Sequence, residues 1–183
     1  QLASPDLWLV FAPVKRARID FVAAKATELG VSALRPVLTR HTAVERVNVE
    51  RLRANAIEAA EQCDRLDVPE VAAPVALDAL IEDWPAGRRL MLCDESGAAP
   101  PVAAALAPFA AAPAAPWAVL TGPEGGFAGS ELDALKKREF VTAVSLGPRT
   151  LRADTAALAA LSCWQALVGD WRAPPSGSAG VSV

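Results

Sequence analysis

The chain has 183 residues, of which 52% are hydrophobic and 21% charged, and its formal net charge is −3 at pH 7. This composition is typical of a globular domain and excludes a disordered or collagen-like chain. The sequence has neither the ~20 consecutive apolar residues of a membrane span nor the basic start and apolar run of a signal peptide. It therefore predicts a cytoplasmic protein with one compact core.

Cysteine and histidine content limits the chemistry that is available. Cys63, Cys93 and Cys163 are widely spaced and lack both a CxxC pattern and a nearby histidine, which argues against a disulfide framework and against a metal site. We interpret them as buried free thiols. His41 is the single histidine, so any catalytic triad would have to be built around it. We interpret it as a surface residue.

Apolar runs alternate with helical patterns in the first third of the chain. The run at 7–11 predicts a buried strand, and the apolar spacing over 18–29 predicts a helix that ends at Gly30. A second strand is predicted over 31–38, and an amphipathic helix over 49–62. These segments form two β/α units.

The same alternation continues toward the carboxyl terminus. The predicted elements are a short segment at Val71, helices at 77–83, 102–111, 130–138 and 155–168, and strands at 90–93, 117–121 and 141–146. Residues 173–183 are rich in Pro, Gly and Ser and predict a flexible tail. Strands that alternate with helices predict an open α/β sheet, mostly parallel, with helices on both faces. Ligands bind such sheets at the carboxyl ends of the strands.

One unusual loop, Gly122-Pro123-Glu124-Gly125-Gly126-Phe127, directly follows the predicted strand 117–121. Its glycines permit positive φ and remove Cβ bulk, so that backbone groups can approach a ligand closely. The loop lacks the GK[ST] of a P-loop and does not match GxGxxG. A tight structural turn explains the glycines equally well.

A second unusual loop covers 146–156, between a predicted strand and the last predicted helix. Arg149 and Arg152 indicate contacts with phosphate or carboxylate groups, because partly desolvated arginine forms bidentate contacts with such groups. Asp154 or Thr155 can cap the helix. Because both loops follow strands, we expect them to form one cleft.

Together the two loops resemble the paired signatures of the RsmE family, SPOUT-class RNA methyltransferases that methylate N3 of a uridine in small-subunit ribosomal RNA. The GPEGGF signature stands at 122–127, and the LG-x-R-x-LR-x-[ED]-TA signature at 146–156. Further similar stretches are 25–31, Arg35-Pro36, and 58–62 with Arg65. The resemblance extends from residue 7 to residue 170.

The resemblance implies a SPOUT-type fold with a carboxyl-terminal trefoil knot, a homodimer, and S-adenosylmethionine as cofactor, with no metal and no membrane. It implies 16S ribosomal RNA of the small subunit as the partner. The residues expected to hold the cofactor, largely through their backbone, are Leu120, Thr121, Gly122, Pro123, Glu124, Gly125, Gly126, Leu146, Gly147 and Leu151.

Several polar residues are expected to act on RNA. Arg152 is expected to orient the uracil and stabilise its developing negative charge, and Arg149 to contact phosphate; a surface ion pair is the alternative for each. Gln62, Arg65 and Arg18 are expected to contact RNA as well. The alternative is helix capping for Gln62 and Arg65, and a solvated charge for Arg18.

The family carries an amino-terminal, β-rich, PUA-like RNA-binding domain, whereas this chain starts at the first predicted strand. We expect residues 1–172 to form the methyltransferase domain, with 173–183 as the tail. Such a domain is expected to bind S-adenosylmethionine but to methylate ribosomal RNA poorly by itself. Two alternatives stay open: a related SPOUT enzyme that acts on another ribosomal or transfer RNA nucleotide, and a non-catalytic module that binds a nucleotide or RNA.

Overall fold

The computed structural model of the chain describes residues 4–44, 46–112 and 114–172, so the predicted tail lies outside the described residues. In chain order the elements are β1 (Leu7–Phe11), α1 (Arg16–Glu28), β2 (Ala33–Leu38), α2 (Val49–Gln62), β3 (Glu70–Val71), β4 (Val75–Ala76), α3 (Leu77–Glu82), β5 (Arg89–Cys93), α4 (Val102–Leu106), β6 (Trp117–Thr121), α5 (Gly129–Lys136), β7 (Val141–Val144) and α6 (Ala153–Leu167).

The strands form one sheet with the order β3-β2-β1-β6-β5-β7, and β4 also pairs with β2. Every pairing described between these strands is parallel. The carboxyl ends of all strands therefore lie at one edge of the sheet, the carboxyl edge, and their amino ends at the opposite amino edge. The predicted parallel α/β class is confirmed.

Helices cover both faces of the sheet, as the sequence predicts. One buried cluster joins α1, α2, α4 and α6 to the side chains on one face. A second cluster joins α3 and α5 to the other face. The central strands alternate between the two clusters, since Leu9 and Val119 belong to the first and Val10 and Leu120 to the second. Because these strands are buried on both faces, neither face is exposed to solvent, and their sequences are continuously apolar.

The end of α1 shows how local sequence sets an element boundary. Gly30 has φ +86° and donates its N–H to the carbonyl of Thr27 at 3.0 Å, which confirms the predicted helix stop. The side-chain amide of Gln165, fully buried on α6, donates to the carbonyl of Leu29 at 2.6 Å. The stop of α1 is therefore also a contact between α1 and α6.

The predicted boundaries of the helices and the longer strands lie within two residues of the observed ones, except at the end of α4. The helix predicted over 102–111 ends at Leu106 and continues as a 3₁₀ turn, because Pro108 has no N–H to donate and its ring obstructs the preceding helical turn. The last helix begins at Ala153, with Arg152 as its N-cap residue. The predicted cap at Asp154 or Thr155 is therefore wrong.

Among the described residues, no helix has both the length and the apolar character that a membrane span needs.

Candidate active site

A cavity of about 460 Å³ opens at the carboxyl edge, where β5, β6 and β7 end side by side. This volume lies within the range of pockets that bind small molecules. The lining residues are Cys93, Asp94, Glu95, Gly97, Thr121, Gly122, Pro123, Glu124, Gly126, Ser145, Leu146, Gly147, Pro148, Arg149, Thr150, Leu151, Arg152, Ala153 and Ala156. Both unusual loops of the sequence therefore meet in one cleft, as expected.

The glycine loop, residues 122–127, owes its shape to close contacts. A Cβ on Gly122 would lie 2.9 Å from the ring of Phe127, which is buried beneath the loop. Gly126 has φ +69°, and a Cβ there would lie 2.4 Å from Oε1 of Glu95. The packing of the loop itself therefore requires glycine at both positions. Without side chains, Gly122 and Gly126 line the cavity with their backbone atoms.

The arginine loop, residues 146–152, forms the opposite wall. Gly147 has φ +108° with open space where a Cβ would stand, so its backbone is accessible from the cavity. Arg149 and Arg152 are exposed at the same cavity. Within the described parts of the chain, neither guanidinium has an ion-pair partner, so the alternative of a surface ion pair is not what the structure shows.

The amino terminus of α6 adds positive potential to this wall. Arg152 is the N-cap residue and makes no side-chain capping bond, and Ala153 and Ala156 of the first turn line the cavity. Unsatisfied N–H groups and the helix dipole make such a terminus favourable for negative charge. The wall thus combines two free arginines with a helix amino terminus.

Residues after β5 form a third wall that sequence reasoning missed. Asp94 is buried, accepts the backbone N–H of Ser96 at 2.9 Å and pairs with Nζ of Lys136 at 2.6 Å. Burial raises the pKa of the Asp94 carboxyl, but the hydrogen bonds from Lys136 and Ser96 outweigh burial and hold that pKa below its ordinary value of 3.8. A signal existed, because the polar, turn-forming sequence 94–97 directly follows a predicted strand.

Cys93 lies at the same wall but is no nucleophile. It is 7% exposed, and burial, with Cys163 and Glu95 nearby, raises the pKa of its thiol to about 12. The thiol is therefore protonated at neutral pH, and covalent chemistry through this sulfur is disfavoured.

In the described portion of the chain, no group of three His, Cys, Asp or Glu side chains is arranged to hold a metal ion.

Eight of the ten residues expected to hold a cofactor line this cavity, and Leu120 and Gly125 do not. Leu120 is fully buried in the core of the second face. Gly125 lies next to His41, and a Cβ placed on Gly125 would be 3.3 Å from the Cβ of His41. For both, the expected cofactor contact stays a prediction.

Arg18 reaches the rim of the cavity from α1. Its guanidinium pairs with Glu124 of the glycine loop at 3.4 Å and with Asp154 of α6 at 3.9 Å. It therefore connects the two signature segments, and its expected RNA contact stays a prediction. Exposed pairs of this length contribute little to stability.

Gln62 and Arg65 lie at the opposite edge of the sheet, because α2 runs from the end of β2 back to the start of β3. Arg65 donates to the backbone carbonyls of Thr27 and Val31 and pairs with Asp67 at 3.0 Å. Its side chain is only 6% exposed. Thr27 lies in the last turn of α1, so the side chain of Arg65 caps α1 and not its own helix α2, and the structure does not bring it to the cavity. The RNA contact expected for Gln62 and Arg65 stays a prediction.

Comparison with known proteins identifies relatives of the chain. The profile of the RNA methyltransferase domain family matches residues 2–165. A Ribosomal RNA small subunit methyltransferase E from Rickettsia conorii is 30% identical over 85% of this chain and 62% of its own length. One from Synechocystis sp. is 33% identical over 87% of this chain and 53% of its own length. The chain thus spans between about half and two thirds of the length of these curated relatives.

A solved structure is also similar to this one. The Ribosomal RNA small subunit methyltransferase E from Neisseria gonorrhoeae, determined bound to S-adenosyl methionine, is 27% identical with a TM-score of 0.76. The similarity covers 89% of this chain and 66% of that one. The sequence resemblance to this family is confirmed.

Proposed function

This chain belongs to the RNA methyltransferase domain family, and from that membership we propose that it transfers the methyl group of S-adenosylmethionine to N3 of a uridine in 16S ribosomal RNA. The observation that carries the proposal is the cavity at the carboxyl edge, where both signature loops meet and where two arginines of the second loop have no ion-pair partner among the described residues. Neither loop alone distinguishes a ligand site from a structural turn. Their convergence on one pocket favours the ligand site.

The proposed cofactor site fits the residues that are present. Residues 121–124 with Gly126 on one wall, and Leu146, Gly147 and Leu151 on the other, would hold the cofactor through backbone groups and shape. A pocket of about 460 Å³ with accessible glycine backbone suits a nucleoside that is recognised by its edges. Glu124 lies at the rim of the cavity, where its carboxylate would attract the amine of the cofactor.

The proposed chemistry needs alignment and charge stabilisation. When bound, S-adenosylmethionine supplies a methyl group activated by a sulfonium, and the methyl–sulfur bond breaks as the bond to N3 forms. The N3 proton of the uracil must leave, which places negative charge on the ring. The positively charged guanidinium of Arg152 opposes that charge together with the amino terminus of α6. Neither His41 nor a tyrosine lines the cavity, and its carboxylates are engaged with other groups of the chain: Asp94 with Lys136, Glu95 with the N–H of Phe127, and Glu124 with Arg18. The proton is therefore proposed to pass to water.

Finer features of the fold and assembly are part of the same proposal. We propose that the carboxyl-terminal part forms a trefoil knot, that residues 1–172 constitute the methyltransferase domain, and that the protein acts as a cytoplasmic homodimer. The knot and the dimer rest on the resemblance of the two signature loops to the family. Light scattering tests the dimer, since one chain has a mass of 19.1 kDa.

Calorimetric titration with S-adenosylmethionine tests the cofactor site. A Gly126→Val variant should lose binding, because its side chain would collide with Glu95 at a backbone of positive φ. Gly87→Val is the matched control, since Gly87 has φ +81° with open space around it and lies at the amino edge. Saturable binding by the wild type and by Gly87→Val, but not by Gly126→Val, supports the proposal. A folded wild-type chain that binds no cofactor contradicts it.

Mass spectrometry of the modified RNA tests the substrate. N3-methyluridine in 16S RNA is the expected product. A ribose-methylated nucleotide, or a product in transfer RNA, would support the related-enzyme alternative. Because the domain by itself is expected to methylate poorly, only cofactor binding with no product even in single-turnover reactions would support the non-catalytic alternative.

A further inference from the structure

We propose that His41 is a positioning residue that holds the glycine loop, residues 122–127, in the conformation that binds the cofactor. The proposal rests on the proposed function for the identity of the ligand. It does not rest on that function for the contact itself, which belongs to the chain alone. His41 lies in the turn after β2, outside both signature segments.

The imidazole of His41 contacts the loop at two backbone oxygens. Its Nδ1 lies 3.2 Å from the carbonyl oxygen of Gly125 and 3.1 Å from that of Gly126. Carbonyl oxygens only accept hydrogen bonds, so Nδ1 must carry the proton and donate. One donor shared between two successive carbonyls fixes the relative orientation of two peptide units, in the segment where glycine leaves the backbone most free.

The turn that carries His41 is itself rigidly supported. Oγ1 of Thr42 accepts the backbone N–H of Thr39 at 2.9 Å, which closes the turn. The backbone N–H of Arg40 donates to the buried carboxylate of Glu131 at 2.9 Å, and the same carboxylate accepts the N–H of Ala128 at 2.8 Å. Glu131 therefore ties the turn to the start of α5, directly after the glycine loop, so the imidazole is presented from a fixed base.

Glu95 holds the loop from the other side. Its Oε1 accepts the backbone N–H of Phe127 at 3.0 Å. The loop thus receives a hydrogen bond from His41 and donates one to Glu95. Of these two side chains, only Glu95 lines the cavity, so His41 acts on a ligand through the loop and not by contact with it.

Support of this kind affects affinity through preorganisation. A glycine-rich loop loses more conformational freedom on ordering than other sequences, and a loop that is already ordered pays less of that cost on binding. Loss of the His41 contact is therefore expected to weaken cofactor binding without changing the residues that line the pocket.

Two variants of His41 separate the hydrogen bond from the packing. His41→Ala removes the donor and is expected to weaken S-adenosylmethionine binding about three- to tenfold, the effect of one hydrogen bond. His41→Asn places an amide N–H where Nδ1 stands and is expected to bind within about twofold of the wild type. Arg40→Ala is the control, because it changes the neighbouring exposed side chain and leaves the turn's backbone contacts in place. Denaturant midpoints establish that all variants are folded.

Measurements without cofactor keep this test independent of the proposed function. His41 is the single histidine, so ¹⁵N NMR reports its tautomer without assignment. The expected state carries the proton on Nδ1, and the amide of Phe127 is expected to exchange faster in His41→Ala than in His41→Asn. A neutral ring protonated on Nε2, or unchanged exchange and affinity in His41→Ala, would overturn the proposal. A wild type that binds no cofactor would overturn the proposed function. Hydrogen exchange at the Phe127 amide and the tautomer of the His41 imidazole would still decide whether His41 holds the loop.

Discussion

Arginines at the two edges of the sheet have opposite environments. At the amino edge, Arg65 and Arg88 have side chains 6% and 7% exposed, and their donors bind backbone carbonyls and carboxylates of the chain. At the carboxyl edge, Arg149 and Arg152 are exposed at the cavity, and the described structure gives them no ion-pair partner. Arginine at the amino edge stabilises the fold, whereas at the carboxyl edge its donors stay available to a ligand.

Arg88 shows how the amino edge uses a guanidinium through both of its terminal nitrogens. It donates to the carbonyl of Trp117 at 2.8 Å, binds both carboxylate oxygens of Asp6 at 2.8 Å, and lies 3.6 Å above the ring of Trp8. The guanidinium of Arg88 cannot bind a ligand without breaking its hydrogen bonds to Trp117 and Asp6. The difference between the edges therefore predicts that substitutions there change different properties.

The largest effect is expected for Arg88→Ala, which should lower the free energy of unfolding by about 3 kcal/mol, because it leaves the Trp117 carbonyl and the Asp6 carboxylate without their charged donor. Denaturant unfolding measures this loss. Arg89→Ala is the control in the adjacent position, where the side chain is exposed and stacks on Phe109 at 4.6 Å, and should cost less than about 1 kcal/mol. Equal losses in the two variants would show that the amino edge is not held by Arg88.

Arg152→Ala should have the next largest effect, on catalysis and not on stability. Loss of one charged donor that faces a developing anion lowers methyl transfer about 100-fold. The affinity for S-adenosylmethionine and the free energy of unfolding should stay close to wild-type values, because no described contact of the fold is lost. Single-turnover methylation of small-subunit RNA, with calorimetry and unfolding in parallel, checks this.

Arg149→Ala is the companion to Arg152→Ala. The Arg149→Ala variant is expected to bind RNA more weakly, and the salt dependence of RNA binding should fall by about one ion, as for loss of a phosphate contact.

If methyl transfer is unchanged in Arg152→Ala, Arg152 has no part in the reaction.

A smaller effect is expected for Asp94→Asn, which tests whether the carboxyl edge also contains a stabilising ion pair. Because the pKa of Asp94 is lowered in the folded state, its charge stabilises the fold above the ordinary value of 3.8, and this contribution is lost as the pH falls through the lower folded value. The variant should be less stable than the wild type at pH 7 by about 1.5 kcal/mol, since the ion pair of the Asp94 carboxylate with the Lys136 ammonium is lost.

The pH dependence of unfolding distinguishes this explanation from a packing defect. The difference between Asp94→Asn and the wild type should shrink toward zero below pH 3.8 as the wild-type carboxyl becomes protonated. A difference that persists unchanged in acid would mean that the ion pair with Lys136 contributes nothing.

Local sequence predicted most element boundaries because they depend on short-range effects. β1, β6 and α2 begin and end where the apolar patterns do, and Gly30 stops α1 by its positive φ. The two signature loops were also recognisable, since their unusual glycine content is local. β4 was missed because two residues, Val75 and Ala76, are too short for a periodic pattern.

Strand order decided what the local sequence could not. β6 and β7 are consecutive in the chain, but β5 lies between them in the sheet, and this brings Asp94 and Glu95 into the cavity beside both signature loops. The turn after β2 similarly brings His41 to a loop 84 residues away. No residue pattern within either segment encodes such a juxtaposition.

The sequence by itself therefore determined the α/β class, the helices and strands, and the two loops with chemical potential. The tertiary structure alone decided which of four arginines, Arg65, Arg88, Arg149 and Arg152, are buried and paired and which stay free. The physical reason is that secondary structure depends on periodicity and backbone preference over a few residues. Burial and hydrogen-bond partners depend on which distant segments the sheet places side by side.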